Sequence, residues 1–295
     1  MADHPPVLVA PDAFGGELRA PVVAAAIGRG LERAGITPPP ELCPVAGGGR
    51  GTLEVLLLAL GGETGDGFAL IEDGGTAIVE YDGSSEEQTG ERLAVAARSG
   101  AQVVLLAAGP APGAGRRGAA AGTALPAGPT PSTGRRSAAD GAAARGHGDS
   151  LDGHGHGAML LAALDDHGGL AGAALVVLCD VRNPDPLAER LRDECGARLV
   201  AGVPFILDAL DFDARMRAAR AVIVGERRLE RATLMGRVAG EIATRARQSG
   251  VPCHAVAAER AIDRFDQRIL DLQAVVEAGS IAELEAAGEE LAHEL

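Results

Sequence analysis

Five charged side chains, Glu226, Arg227, Arg228, Glu230 and Arg231, follow directly on the apolar run Ala221-Val222-Ile223-Val224 and Gly225. A carboxylate there could take a proton or meet a divalent cation, and a guanidinium beside it could hold an anionic group. The same side chains could instead form a surface ion-pair cluster worth roughly 0–1 kcal/mol. Position favours chemistry. The run is continuous and β-branched, as suits a strand covered on both faces, and the carboxyl end of such a strand opens on the usual ligand crevice of a parallel sheet. Gly225 is expected to end the strand. A helix beginning near Thr233, with Val238, Ile242 and Ala246 on one face, would aim free N–H groups at the same crevice.

Three further groups are candidates, each with a plain structural alternative. Asp12 follows the apolar Val7-Leu8-Val9-Ala10 and is either a carboxylate at a sheet edge or a helix cap. The turn Gly47-Gly48-Gly49-Arg50-Gly51-Thr52 could cradle phosphate or carboxylate on its amides, or its glycines could serve close packing. In Cys179-Asp180-Val181-Arg182-Asn183-Pro184, the Asn-Pro step forces an extended or turned exit that would hold Asp180 at a strand end, either as a site residue or in an Asx turn. His147, His154 and His156, with Asp149 and Asp152, have metal-ligand chemistry. They stand in a glycine-rich segment that supplies no supporting shell, so no metal site is expected there.

The elements that would position these residues alternate in type. Val7–Ala10 reads as a strand, 20–34 as a helix with Val23, Ile27 and Leu31 on one face, 41–45 as a strand and 53–60 as a helix. Strands are also expected at 77–81, 103–106 and 175–178, and helices at 89–99 and 158–164. This alternation predicts an α/β protein with a parallel sheet and right-handed crossovers. From 109 to 157 the pattern collapses into Gly, Ala, Pro, Arg and His without apolar periodicity. A stretch of that composition cannot offset the entropy of ordering, so a poorly ordered loop is expected, either a divergent insertion or a stretch translated out of frame.

Composition narrows the function classes. The net charge of −14 opposes nucleic acid and anionic membranes as main partners. The chain contains no Lys, which excludes a Walker-type phosphate loop and Schiff-base chemistry. The four cysteines stand singly, a pattern of reduced thiols rather than disulfides or zinc. No window approaches ~18 uninterrupted apolar residues, and the first residues, MADHPPVLVAPDAF, lack the marks of a signal peptide. A cytoplasmic location is expected. Aromatics are only 2%, so the core must be built from Ala, Val and Leu.

These motifs resemble a known family. VLVAPDAF is similar to the opening of the type I glycerate kinases, where the first strand ends in a P-D-S-F-K-G-S-like turn. PVAGGGRGT resembles that family's P-M-A-D-G-G-E-G-T loop, and CDVRNP its C-D-V-x-N-P element. FILDALDFDARM, AVIVGERRLERATLMGR and VPCHAV resemble its carboxyl-terminal half, marked by G-E-G-R-L-D-x-Q-T followed by G-K. The departures are specific. Gly15 and Arg237 stand where the family has Lys, Gly47 where it has Asp, Arg50 where it has Glu and Arg227 where it has Gly. A G-G-S-A-T-x-D-G-G loop is replaced by the sequence beginning at Gly109.

The resemblance implies a two-domain α/β fold. A flavodoxin-like domain would be built from 1–64 and 203–295, and a mixed α/β domain from 65–202 inserted between. It implies transfer of the ATP γ-phosphate to a hydroxyl of glycerate, assisted by Mg²⁺. Asp180, Glu226 and Arg228 take catalytic places in this scheme, Asp180 and Glu226 in metal binding or proton transfer and Arg228 in holding carboxylate or phosphate. Asp12, Gly48, Gly49, Arg50, Gly51, Thr52, Asn183 and Thr233 take substrate- and phosphate-binding places. The lost residues also admit a non-catalytic relative that binds an organic acid, a nucleotide or a protein partner.

Overall fold

The apolar β-branched runs form strands, and the computed structural model, which describes residues 4–81, 83–109 and 157–295, arranges them in two sheets. Strands β1 (Val7–Pro11), β2 (Glu41–Leu42), β9 (Ala221–Leu229), β10 (Cys253–Arg260) and β11 (Leu272–Glu277) make the first, all parallel, in the order β11-β10-β9-β1-β2. Counted along the chain within this sheet, the order is 2-1-3-4-5, that of flavodoxin-like folds. The second sheet runs β3 (Glu63–Thr64), β4 (Ala69–Ile71), β5 (Thr76–Glu80), β6 (Val103–Ala107), β7 (Ala174–Cys179) and β8 (Arg198–Ala201) in sequence order. It is mixed, with antiparallel pairing up to β5 and parallel pairing beyond. The expected α/β class is therefore the observed one. Residues 110–156, which carry the expected loop with His147, Asp149, Asp152, His154 and His156, lie outside the described residues.

Helices α1 (Ala20–Arg33) and α10 (Ile281–Leu291) cover one face of the first sheet over Val7, Val9 and Ile223. The aromatic-poor composition shows here. A Cβ on Gly30 would lie 2.0 Å from the Glu285 carbonyl oxygen, so the two helices touch backbone to backbone. Between the sheets lie α2 (Thr52–Leu60), α6 (Gly202–Ala209), α7 (Phe212–Ala218) and α8 (Val238–Ser249), in one core that joins Leu8, Val222 and Val224 to Ile78, Leu105 and Val176. The outer face of the second sheet is covered by α3 (Glu86–Arg98), α4 (Ala158–Asp166) and α5 (Pro186–Cys195). No helix among the described residues is long and apolar enough to cross a membrane.

Two expectations about the charged segment are corrected. Strand β9 does not end at Gly225 but continues to Leu229, because β10 runs alongside and pairs Glu226, Arg228 and Leu229 with Ala257, Glu259 and Arg260. No helix begins at Thr233. Arg231–Met235 is a 3-10 turn closed by Gly236 at φ 99°, and α8 starts at Val238. Its short turn is capped internally, with the Glu230 amide donating to Thr233 Oγ1 at 3.2 Å and the Thr233 amide to the Glu230 carbonyl at 2.8 Å. Strand β2 proper covers only Glu41–Leu42 of the expected 41–45, but the chain stays alongside β1 to Val45, with the Cys43 amide donating to the Val9 carbonyl at 2.8 Å and the Val45 amide to the Pro11 carbonyl at 3.0 Å.

Candidate functional site

The switch point of the first sheet falls between β1 and β9, whose connections leave in opposite directions. Asp12 and Glu226 stand there, one residue beyond the paired Pro11 and Gly225. Gly225 permits the approach, because a Cβ on it would lie 2.5 Å from the Pro11 Cβ and 3.2 Å from the Phe14 ring. The Asp12 amide closes the junction by donating to the Gly225 carbonyl at 2.9 Å. Alternation along the strands sends Leu8, Ala10, Val222 and Val224 toward one core, and Asp12 and Glu226 continue those two rows.

Glu226 is 8% exposed, a buried carboxylate among apolar neighbours. Thr233 Oγ1 donates to its Oε2 at 3.1 Å, and Arg237 Nη1 lies 3.6 Å from its Oε1. Burial nevertheless dominates and, with the repulsion of Asp12, raises its pKa to about 7 against the pull of Arg237 and Thr233. Desolvation likewise pushes Asp12 up to about 7, opposed only by the Ala13 amide, which donates to Oδ1 at 2.7 Å. Desolvation thus holds both carboxyls toward the protonated form near neutrality, and the charge of Asp12 adds to the rise at Glu226. Arg237 and Thr233 bias the negative charge toward Glu226. Thr233 is itself fully buried and fixed by α8, where a Cβ on Gly240 would fall 1.9 Å from its carbonyl oxygen.

The cations are arranged differently from the sequence reading. Arg228 is exposed and doubly paired, with Nε 3.2 Å from Glu230 Oε2 and Nη1 3.1 Å from Glu259 Oε2. Its ion pairs run along the β9–β10 surface. Arg237 is the guanidinium that reaches the buried carboxylate, and it also pairs with Glu230 at 2.9 Å. Glu226, Arg237, Glu230, Arg228 and Glu259 thus form one chain of alternating charge leading outward. Sequence reasoning named Glu230 and Arg237 but gave neither a role beside Glu226. The signal for Arg237 was present, since it is the residue just before the apolar stripe of α8.

The glycine-rich turn is held from three directions. A Cβ on Gly48, at φ 88°, would lie 2.6 Å from the Gly202 Cα. One on Gly49 would lie 3.1 Å from the Gly109 Cα, and the Gly109 amide donates to the Gly48 carbonyl at 3.0 Å. Backbone contact thus requires glycine at Gly48 and Gly49. Gly51, at φ 89°, turns the chain into α2, Arg50 is exposed, and Thr52 is fully buried with its hydroxyl unpartnered. The carboxylate of Glu80, at the end of β5, accepts the Leu53 amide at 2.7 Å. Burial raises the Glu80 pKa, against the amides of Leu53 and Gly51 and the charge of Arg50.

The comparisons with known proteins bear on this arrangement. The family model described as the glycerate kinase family matches residues 7–104 and 187–294, more than half of the chain. The chain belongs to the glycerate kinase family. Among solved structures, the crystal structure of putative glycerate kinase 2 from Salmonella typhimurium LT2 has a TM-score of 0.65 at 19% identity, covering 99% of this chain and 98% of that one. At that identity the likeness speaks for the fold. No curated protein matches the sequence.

In this family member the CDVRNP element lies in the second sheet. Asp180 is exposed just beyond β7 and accepts the Arg182 amide on Oδ1 at 3.0 Å, while the Asn183 amide donates to the Asp180 carbonyl at 3.1 Å. That is an Asx turn, with Asn183 exposed in it. The structure brings Asp12, Glu226 and Thr233 together and adds Arg237. Gly48, Gly49, Arg50, Gly51 and Thr52 form the turn that Glu80 meets at Leu53, reached from Val45, whose amide donates to the Pro11 carbonyl at 3.0 Å.

Proposed function

We propose that the chain is a phosphotransferase of the glycerate kinase type, moving the γ-phosphate of ATP to a hydroxyl of glycerate. The observation that carries this reading is the placing of two carboxyls, the half-buried Asp12 and the buried Glu226, at the switch point of a flavodoxin-like sheet. Their raised pKa values, both about 7, suit a group that must take a proton at neutral pH. The acceptor hydroxyl would give its proton to the pair as its oxygen bonds to the γ-phosphorus, and the bond to the ADP oxygen breaks. Arg237, already beside Glu226, would then face the charge spreading over the transferred group. The sheets and their connections support two bodies, 1–64 with 203–295 and 65–202, with β3 belonging to the second sheet.

Among the described residues no three His, Cys, Asp or Glu side chains come together as a metal-ligand set. Magnesium would enter on the phosphates of ATP and needs only one or two carboxylates of the protein, a part that Glu226 and Asp180 have the chemistry to fill. The reaction is expected in the cytoplasm. The test is release of ADP from MgATP with D-glycerate by the purified chain. The reading fails if no ADP forms while calorimetry shows that both substrates bind.

One observation favours a second reading, a relative that binds an organic acid, a nucleotide or a partner without transfer. Arg228 is already neutralised by Glu230 and Glu259, and the glycine-rich turn by Glu80. Binding of glycerate or ATP without turnover would select it.

A further inference from the structure

The glycine-rich turn has the form of an anion site, with a left-handed glycine leading into the free amides of a helix. Its fastenings account for the glycines without any ligand. Gly48 and Gly49 meet Gly202 and Gly109 at backbone distance, from the start of α6 and the end of β6. The amide function is also accounted for. Leu53 donates to Glu80 Oε1 at 2.7 Å, with the Gly51 amide on the same carboxylate and Arg50 nearby. Glu80 comes from the other sheet, where it pairs with Ala107 at the end of β5.

We propose that Glu80 is the resident anion of the glycine-rich turn, a positioning residue whose carboxylate occupies the place at the amino end of α2 that a substrate phosphate or carboxylate would otherwise take. The turn is then a coupling between the two sheets, held at one end by glycine contacts and at the other by a charge-assisted hydrogen bond. Anions from solution are then kept from the Gly51 and Leu53 amides. This inference concerns occupancy and stands whether or not the chain phosphorylates glycerate.

Amide NMR of the full chain tests it without turnover, with inorganic phosphate and formate as probes. In the unmodified protein the Gly51 and Leu53 resonances should stay in place as either anion is added. In Glu80→Ala they should move and saturate, with an apparent affinity at least ~10-fold above the unmodified protein, and formate should raise the lowered melting temperature. Glu80→Gln, which keeps an oxygen acceptor in place, should fold and behave as the unmodified protein. If Glu80→Ala folds only when formate is present, the inference holds. Saturable movement of Gly51 and Leu53 in the unmodified protein, or none in folded Glu80→Ala, overturns it.

Discussion

Asp12 and Glu226 extend two neighbouring parallel strands by one residue each, and the ionised form of Asp12 raises the pKa of Glu226. The β1–β9 pairing, closed by the Asp12 amide on the Gly225 carbonyl, joins the first turn of the chain to its last third. It brings two acids into a space with one nearby guanidinium, Arg237, and one buried hydroxyl, Thr233. Ionising either carboxyl near neutrality costs stability, because burial favours the protonated form of each.

Removing either carboxyl should separate the two effects. Asp12→Asn is expected to lower kcat by roughly 10²-fold or more, as for loss of a general base. The folded protein holds the Asp12 proton up to about 7, against an ordinary value of 3.8. Its ionisation therefore costs no stability below the unfolded value, and the full cost is reached above pH 7. Asp12→Asn should then raise stability at pH 8 by roughly 1–3 kcal/mol and change little at pH 4. Urea melts at the two pH values check this, and lower stability at pH 8 would show that the carboxyl is stabilising.

The pH profile of kcat/KM should rise through about 7, where burial places the ionisation of both carboxyls. Glu226→Gln should remove that limb along with most of the activity. A rate flat from pH 5 to pH 9, arbitrary bounds set about two units either side of the apparent value, would assign proton transfer elsewhere.

Arg237 and Arg228 should differ. Arg228 is exposed and tied to Glu230 and Glu259, so Arg228→Ala is expected to change substrate affinity by less than ~3-fold, as for a surface pair. Arg237→Ala takes the positive charge from Glu226 and should reduce kcat/KM by at least ~10-fold, near the 1.4 kcal/mol of one charge-assisted contact. Calorimetry with ATP and with glycerate, beside steady-state rates, compares the two. Equal losses would place Arg228 in the crevice as well.

His254 gives an acid limit to stability. It is 3% exposed on β10, its Nδ1 has no partner, and burial lowers its pKa despite the charge of Glu294. The folded state thus binds the proton less readily than the unfolded chain, whose His titrates near 6.5. The stabilisation is complete above that value and declines as the pH falls below it. His254→Gln should flatten this decline, measured as the difference from the unmodified protein between pH 7 and pH 5. An unchanged slope would mean that another group controls acid unfolding.

Much of this was legible in the sequence because burial on both faces leaves a local mark. Val7–Ala10 and Ala221–Val224 declare themselves as strands, and their apolar sides require neighbours. The end of β9 was illegible, since Glu226–Leu229 carries the polarity of a turn while its pairing depends on β10, a separate stretch of chain. Arg228 lost its expected place for the same reason, its partner Glu259 being visible only in three dimensions. Glu80 gave no signal at all. A lone acid after a strand has many uses, and only the fold puts it on the amide of Leu53.

The pairing of β1 with β9 also sets an order of assembly. One edge of strand β1 is covered by β2 and the residues after it as far as Val45, and its other edge is completed only by Ala221 to Gly225. The second sheet, by contrast, pairs strands in the sequence in which they leave the ribosome. During synthesis the inner sheet segment can form while Val7–Pro11 still waits with an open edge, as domains generally fold once their own chain has emerged. The crevice that holds Asp12 and Glu226 is therefore among the last features to exist, and any truncated chain ending before β9 lacks it altogether.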